Sequence, residues 1–201
     1  MRTLLVGDVH GCPVALRRLL TDTTPDRLIL LGDLFTKGPD PRGVWEIILA
    51  TRAEAILGNH DARMLEVWDE ADSPAAGGSA RRACRALPAE ARAWTEALPL
   101  FLHGEDWTAV HAGVHPTRGH AGTDRRTALV VRRWPDDADP ATPFWWQLYA
   151  GERRIFYGHD AMRGVQAHAR TTGLDSGCVY GGPLSGWLLE EDRLVQVEGG
   201  A

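Results

Sequence analysis

Three times in its first sixty residues the chain runs a short apolar stretch into a glycine and then into a side chain able to bind a cation. Thr3 to Val6 ends in Gly7-Asp8, Leu28 to Leu31 ends in Gly32-Asp33, and Ala55 to Leu57 ends in Gly58-Asn59-His60. Helical patterns follow. Pro13 suits the first turn of a helix through Leu20, and Val44, Ile47 and Ile48 fall at helical spacing. Strand, polar loop and helix in repetition predict an α/β fold, with βαβ units on a largely parallel sheet. Ligands of such sheets collect outside the carboxyl ends of the strands, and all three polar clusters fall there.

The remainder continues the rhythm with less regularity. Residues 62 to 98 are mostly helical in pattern, broken at Ser73-Pro74-Ala75-Ala76-Gly77-Gly78; Ser79 can cap one helix and Pro88 can open the next. This segment either walls a site or covers the sheet. Thr108 to Val110 reads as a strand delivering His111-Ala112-Gly113, and Thr123 can cap a helix through Val131. The Pro- and Asp-rich stretch 135 to 143 is a loop by composition. Ile155 to Tyr157 forms a strand delivering Gly158-His159, and Leu184 to Leu189 with Leu194 to Val197 reads as an antiparallel hairpin. No convincing linker interrupts the chain, so one domain over residues 1–201 is expected.

Composition excludes more than it identifies. With 201 residues and 44% hydrophobic content the chain can bury a core without disulfides. Its apolar runs are strand-sized, so no membrane helix is expected. The first motif begins by Asp8, and three widely spaced cysteines make no disulfide framework; both points lead us to expect a cytoplasmic protein. Twenty-seven acidic residues against 22 basic ones, a net charge of −5, disfavour a long nucleic acid as partner.

Asp8, His10, Asp33, Asn59, His111 and His159 stand at predicted strand ends with the side chains a dinuclear metal site needs. Asp8 and His10 are two apart and can converge on one ion. Asp33 has two carboxylate oxygens and can bridge two ions, while Asn59, His111 and His159 add one amide oxygen and two imidazoles to the second. Mixed nitrogen and oxygen ligation without thiolate suits Mn, Fe or Zn better than Ca, with Mn our first expectation. Two divalent ions would more than offset Asp8 and Asp33, leaving a local positive charge in an acidic protein and favouring a phosphate substrate. Such a pair can polarise a phosphoryl oxygen and make water reactive, and His60, beside Asn59, would act as general acid toward the leaving group.

The series Gly7-Asp8-Val9-His10-Gly11, Gly32-Asp33, Gly58-Asn59-His60-Asp61, His111-Ala112-Gly113 and Gly158-His159 resembles the calcineurin-like metallophosphoesterases, and within them the phosphoprotein phosphatase superfamily. Residues Gly32 to Asp40, Tyr157 to Ala161 and Leu174 to Gly182 resemble the ApaH-like phosphatases, relatives of the symmetrical diadenosine tetraphosphate hydrolases. The matches extend from residue 5 to about residue 189. The resemblance implies a central β-sandwich flanked by helices and two metals, often Mn, Fe or Zn. Asp8, His10 and Asp33 would hold the first metal, Asp33, Asn59, His111 and His159 the second, and His60 would be the acid. It also implies hydrolysis of small phosphorylated or nucleotide substrates without a phosphoenzyme.

One departure narrows the substrate. Where the protein Ser/Thr phosphatases carry Asp-Arg, this chain has Thr36-Lys37. Thr36 cannot stabilise an imidazolium as a carboxylate would, and Lys37 offers phosphate a point charge rather than a fork. A phosphoprotein substrate is thereby weakened but kept as an alternative, as is a non-catalytic scaffold that binds a phosphorylated ligand. A further phosphate-gripping arginine is expected before the last histidine, and spacing leaves Arg132 and Arg133 both open. Cys12 and Cys178 read as packing groups, Asp136, Asp137 and Asp139 as a solvated loop, and Trp107, Trp145 and Trp146 as core or groove packing.

Overall fold

The computed structural model describes residues 1–70 and 78–199. Three parallel strands, β1 (Thr3–Val6), β2 (Arg27–Leu30) and β3 (Glu54–Ala55), are joined by helices α1 (Pro13–Thr23) and α2 (Pro41–Thr51), as the opening pattern requires. The C-terminal hairpin, β9 (Leu184–Leu188) and β10 (Arg193–Val197), then joins this sheet antiparallel to β1, giving the order β10-β9-β1-β2-β3. The βαβ units thus form the parallel part of the first of two mixed sheets. The second comprises β4 (Phe101–His103), β5 (Trp107–Val110), β6 (Arg154–Tyr157), β7 (Gln166–Ala167) and β8 (Thr171–Gly173), in the order β4-β5-β6-β8-β7.

The side-chain alternation explains why the strands read as continuous apolar runs: both faces of each sheet are covered. Leu4, Val6, Leu28 and Leu30 face α1 and α2, whereas Leu5, Ile29 and Leu31 face Trp107, Ala109 and Phe156 of the second sheet. On the far side of that sheet Val110, Ile155 and Tyr157 pack with Ala128 of α6 (Arg125–Val130) and with Trp145. The result is helix, sheet, sheet, helix, the αββα sandwich implied by the resemblance. Trp107 and Trp145 are core residues, the latter donating its indole N–H to the Ala112 carbonyl at 3.1 Å.

Local chemistry sets several boundaries. Pro41 opens α2 after Asp40, whose carboxylate accepts from Gly43 N–H at 2.8 Å. The cap of α6 is Asp124, accepting from Thr127 N–H at 2.7 Å; Thr123 instead bonds backward to the Gly119 carbonyl. Residues 62–98 contribute α3 (Asn59–Glu66), α4 (Ser79–Ala86) and α5 (Ala89–Glu96), which bury Met64, Cys84 and Ala91 against α2 and the first sheet. The break predicted at 73–78 lies, apart from Gly78, outside the described residues. Ser79 makes no side-chain cap on α4, and Pro88 stands immediately before α5.

Candidate metal centre and active site

All six predicted ligand side chains, with His60, meet at the carboxyl ends of β1, β2, β3, β5 and β6. The loops that carry them are bonded to one another through the backbone. His10 N–H donates to the Asp33 carbonyl and Gly11 N–H to the Leu34 carbonyl, both at 2.8 Å; Gly158 N–H donates to the His111 carbonyl at 2.8 Å. Asp8 links the two sheets by accepting from His159 N–H at 3.0 Å. The approach is so close that a Cβ on Gly158 would lie 2.1 Å from Asp8 Oδ1, and Gly32, at φ +87°, has no room for a side chain against Gly58.

Backbone geometry here departs from the ordinary. His10, Asp33, Lys37 and His159 all have positive φ, between 46° and 70°. The left-handed conformation costs a non-glycine residue about 1–2 kcal/mol, and it concentrates where side chains must be aimed at a point.

Asp33 lies at the centre. Its carboxylate belongs to two donor sets, one with His10 and His60 and one with Asp8 and His111, and within each set the donor atoms lie within 4.8 Å of one another. His10 Nε2 stands 3.5 Å from Asp33 Oδ2, and His111 Nε2 stands 3.5 Å from Asp33 Oδ1. His111 Nδ1 donates to the Leu31 carbonyl at 2.8 Å, which leaves Nε2 as a bare lone pair facing Asn59 Oδ1 at 2.9 Å. His159 is turned the other way: Nε2 donates to the Val130 carbonyl at 3.2 Å and Nδ1 faces the same Asn59 oxygen at 3.0 Å. With the amide turned as it stands, three lone-pair atoms converge with no proton between them, an arrangement that a cation makes favourable. The donor chemistry therefore fits divalent metals at the shared Asp33 carboxylate, with His10 and His60 in one set, Asp8 and His111 in the other, and Asn59 Oδ1 joining His159 to His111.

Electrostatics agree. Asp8 and Asp33 are buried, and burial, with the repulsion of neighbouring carboxylates, raises both pKa values, that of Asp33 to about 6. Burial holds His10 and His159 near a pKa of about 2 and lowers that of His111, which favours the neutral form that ligates; burial also lowers that of His60, where the Asp33 carboxylate pulls the other way. Buried carboxylates and neutral imidazoles together form a cluster that is relieved by positive charge.

Two carboxylates contribute that the sequence reading gave no role. Asp61 is fully buried and accepts from the N–H groups of Asp33 at 2.7 Å, Leu34 at 3.0 Å and Gly58 at 3.1 Å, fixing the β2 and β3 loops to each other. Asp175 hydrogen-bonds Asp8 and accepts from Gly177 N–H at 3.0 Å. Their signal is membership in the matched segments Gly58-Asn59-His60-Asp61 and Leu174 to Gly182.

A cleft of about 450 Å³ opens over this cluster, lined by Asp8, His10, Asp33, Asn59, His60 and His159 and, at its rim, by Lys37 and Arg132. Lys37 Nζ reaches His10 Nε2 at 3.1 Å, and Arg132 is held 3.7 Å from Asp160. Arg133 is not brought to the cleft: it bonds the Thr142 carbonyl and stacks 4.2 Å over Phe144. Thr36 places its hydroxyl 3.3 Å from His10 Nδ1, while His60 meets His10 edge-on, with ring centroids 5.1 Å apart. None of the described residues of 62–98 lines this cleft. Ser79, Arg82 and Ala86 of α4 line an adjoining groove that shares Lys37.

A two-sheet sandwich with such a cluster at its strand ends defines a metal-dependent hydrolase of phosphate esters. A family profile described as calcineurin-like phosphoesterase matches residues 1–193, and the chain belongs to that family. It is similar to the symmetrical bis(5'-nucleosyl)-tetraphosphatases of Cellvibrio japonicus, at 26% identity over 98% of both chains, and Edwardsiella ictaluri, at 28% over 96% of this chain and 94% of that one. Both alignments run to 265 positions against 201 residues here, so those relatives carry insertions that this chain lacks. A crystal structure provisionally described as a diadenosine tetraphosphatase matches with a TM-score of 0.89 at 29% identity, covering 99% of this chain and 94% of that one. The fold is shared with a metallophosphoesterase from Sphaerobacter thermophilus, with a TM-score of 0.65 at 19% identity, over 100% of this chain and 89% of that one. The chain is a metal-dependent phosphoesterase of diadenosine-tetraphosphatase-like type. No described helix is long and apolar enough to cross a membrane.

Proposed function

We propose that this chain, read as one domain, hydrolyses the phosphoanhydride of a dinucleoside tetraphosphate in the cytoplasm, using two divalent cations of which manganese is the first choice and iron or zinc the alternatives. The observation that carries this reading is the convergence of Asp33 with two sets of nitrogen and oxygen donors beneath Lys37 and Arg132. The relatives' activity supplies the substrate class. Bound cations at the two donor sets would polarise phosphoryl oxygens and lower the pKa of water between them.

The chain's own residues supply the rest. Lys37 and Arg132 present positive charge at the rim, where a polyphosphate's outer oxygens would lie; Arg132 makes a planar fork and Lys37 a mobile point charge. Asp160 holds Arg132 in place. His60 stands in the cleft beside Asn59 and delivers a proton to the departing phosphate oxygen. Asp61 fixes the backbone of Asp33, so that its carboxylate stays between both donor sets without rotating toward solvent. Thr36 orients His10 through Nδ1, leaving Nε2 to ligate.

The test is a substrate panel with the Mn²⁺-loaded chain: diadenosine tetraphosphate, nucleoside di- and triphosphates, polyphosphate and a phosphopeptide. Diadenosine tetraphosphate should give the highest kcat/KM and yield ADP as sole nucleotide product, and Asp33→Asn should abolish turnover. Preference for the phosphopeptide, or full activity in Asp33→Asn, would overturn the reading.

A further inference from the structure

The cleft has a second lip that phosphate chemistry alone does not call for. Met162 is 91% exposed and Tyr180 is 67% exposed, and both line the cleft with Ala161. Large side chains left in water beside a charged floor mark a surface that meets something apolar. Tyr180 is also held firmly. It ends a short turn, Cys178–Tyr180, bounded by Gly177 at φ 73° and Gly181 at φ 91°, conformations that glycine adopts freely. Its N–H donates to the Gly177 carbonyl at 2.8 Å, and Gly182 N–H donates to the same oxygen at 3.0 Å. Gly177 lies beneath both halves of the lip: a Cβ built there would sit 3.8 Å from Tyr180 Cδ2 and 3.9 Å from Ala161 Cβ.

Lys37 joins the lip to the floor. Its ammonium lies 5.3 Å from the Tyr180 ring centroid and 3.1 Å from His10 Nε2. A ligand reaching from the donor cluster past Lys37 therefore meets first a cation and then an aromatic face. A nucleoside phosphate has that order of parts, with anionic oxygens at one end and a flat π-surface at the other. The cleft volume lies within the range of small-molecule sites.

We propose that Tyr180 and Met162 stack the base of a nucleoside phosphate whose phosphate lies toward Lys37 and Arg132. The inference rests on the reading of the cleft as a phosphohydrolase site and adds its specificity element. An aromatic face and a polarizable thioether grip any base through its π-face, so the lip selects nucleoside phosphates as a class and not one base among four.

AMP and ribose 5-phosphate differ only by the base and isolate the lip. Titrated calorimetrically into the Mn²⁺-loaded full chain, AMP should bind tighter than ribose 5-phosphate by about 10-fold, the scale of one base–aromatic stack. Tyr180→Ala should bring that ratio to within two-fold of unity, and Tyr180→Phe should keep it. Tyr180 is exposed, so its truncation opens no core cavity. Equal affinities in the unsubstituted chain would overturn the proposal. So would a ratio that survives Tyr180→Ala, which would mean that the ring serves only to hold Lys37. A base-dependent ratio in a chain that leaves diadenosine tetraphosphate intact would support the lip while overturning the tetraphosphate reading.

Discussion

The two ends of the sandwich treat carboxylates in opposite ways. At the carboxyl ends of the parallel strands Asp8, Asp33, Asp61 and Asp175 are buried together, and burial raises the pKa of each. At the other end Glu54 lies 2.6 Å from Arg27 and Glu191 lies 2.6 Å from Arg2, and these hydrogen bonds hold both glutamates below their ordinary range. Left-handed residues differ likewise. Thr24 and Arg52 adopt positive φ as ordinary helix ends, whereas His10, Asp33, Lys37 and His159 do so to aim side chains at one point. One end is built for its own stability. The other is held by the core in a state that the unliganded chain would not choose, which is the mark of a binding site.

The contrast can be broken by substitution, starting where the effect is largest. His60→Asn should lower kcat by about 10²–10⁴-fold, more for poor leaving groups than for good ones. Equal loss across leaving groups, in a series of aryl phosphates, would remove its role as acid. Asp61→Asn weakens the acceptor for three backbone N–H groups, that of Asp33 among them, while leaving every candidate ligand side chain in place, and should reduce Mn²⁺ affinity by about 10–100-fold. Titration of metal-stripped protein checks this, and unchanged affinity would make Asp61 a residue of the fold alone.

Metal should also stabilise the site end. Mn²⁺ at 100 times its Kd should add about 2.7 kcal/mol, a rise of roughly 5–11 °C in Tm. A melting curve indifferent to Mn²⁺ would contradict the picture of carboxylates awaiting charge. The smallest effect belongs to the opposite end: Glu54→Gln should cost less than about 1 kcal/mol, since the pair is partly exposed and screened by solvent. The sign with pH follows from its lowered pKa. The stabilisation is present above the unfolded glutamate pKa and vanishes as pH falls through the folded value, so variant and parent should converge in acid.

Much of the site could be read from the chain because strand ends announce themselves. An apolar run ending in a ligand-type side chain carries a position and a chemistry together, and the structure brings Asp8, Asp33, Asn59, His111 and His159, each at such an end, into one cluster. Asp61 and Asp175 stand within the matched segments but carry no legible role, because they act on backbone amides or on another carboxylate. Spacing does not separate Arg132 from Arg133 because they are neighbours in an irregular stretch; Arg132 lines the cleft, while Arg133 bonds the Thr142 carbonyl and stacks on Phe144. The short strands β4, β7 and β8 were missed for a related reason. Phe101-Leu102-His103, Gln166-Ala167 and Thr171-Thr172-Gly173 are too brief to show a period, and their partners lie in other parts of the chain. For the same reason the repeated units alone show a largely parallel sheet, and the second sheet is legible only through the resemblance. Which strands pair is decided by the faces of β1 and β5, and Leu5 looks the same in sequence whether it covers a helix or a second sheet.

The central claim concerns two cations sharing Asp33, and anomalous diffraction from crystals grown with Mn²⁺ reads it directly. The account predicts two peaks, one against Asp8 and His10, the other against Asn59, His111 and His159, with the Asp33 carboxylate between them. A single peak, or manganese bound away from Asp33, would contradict it.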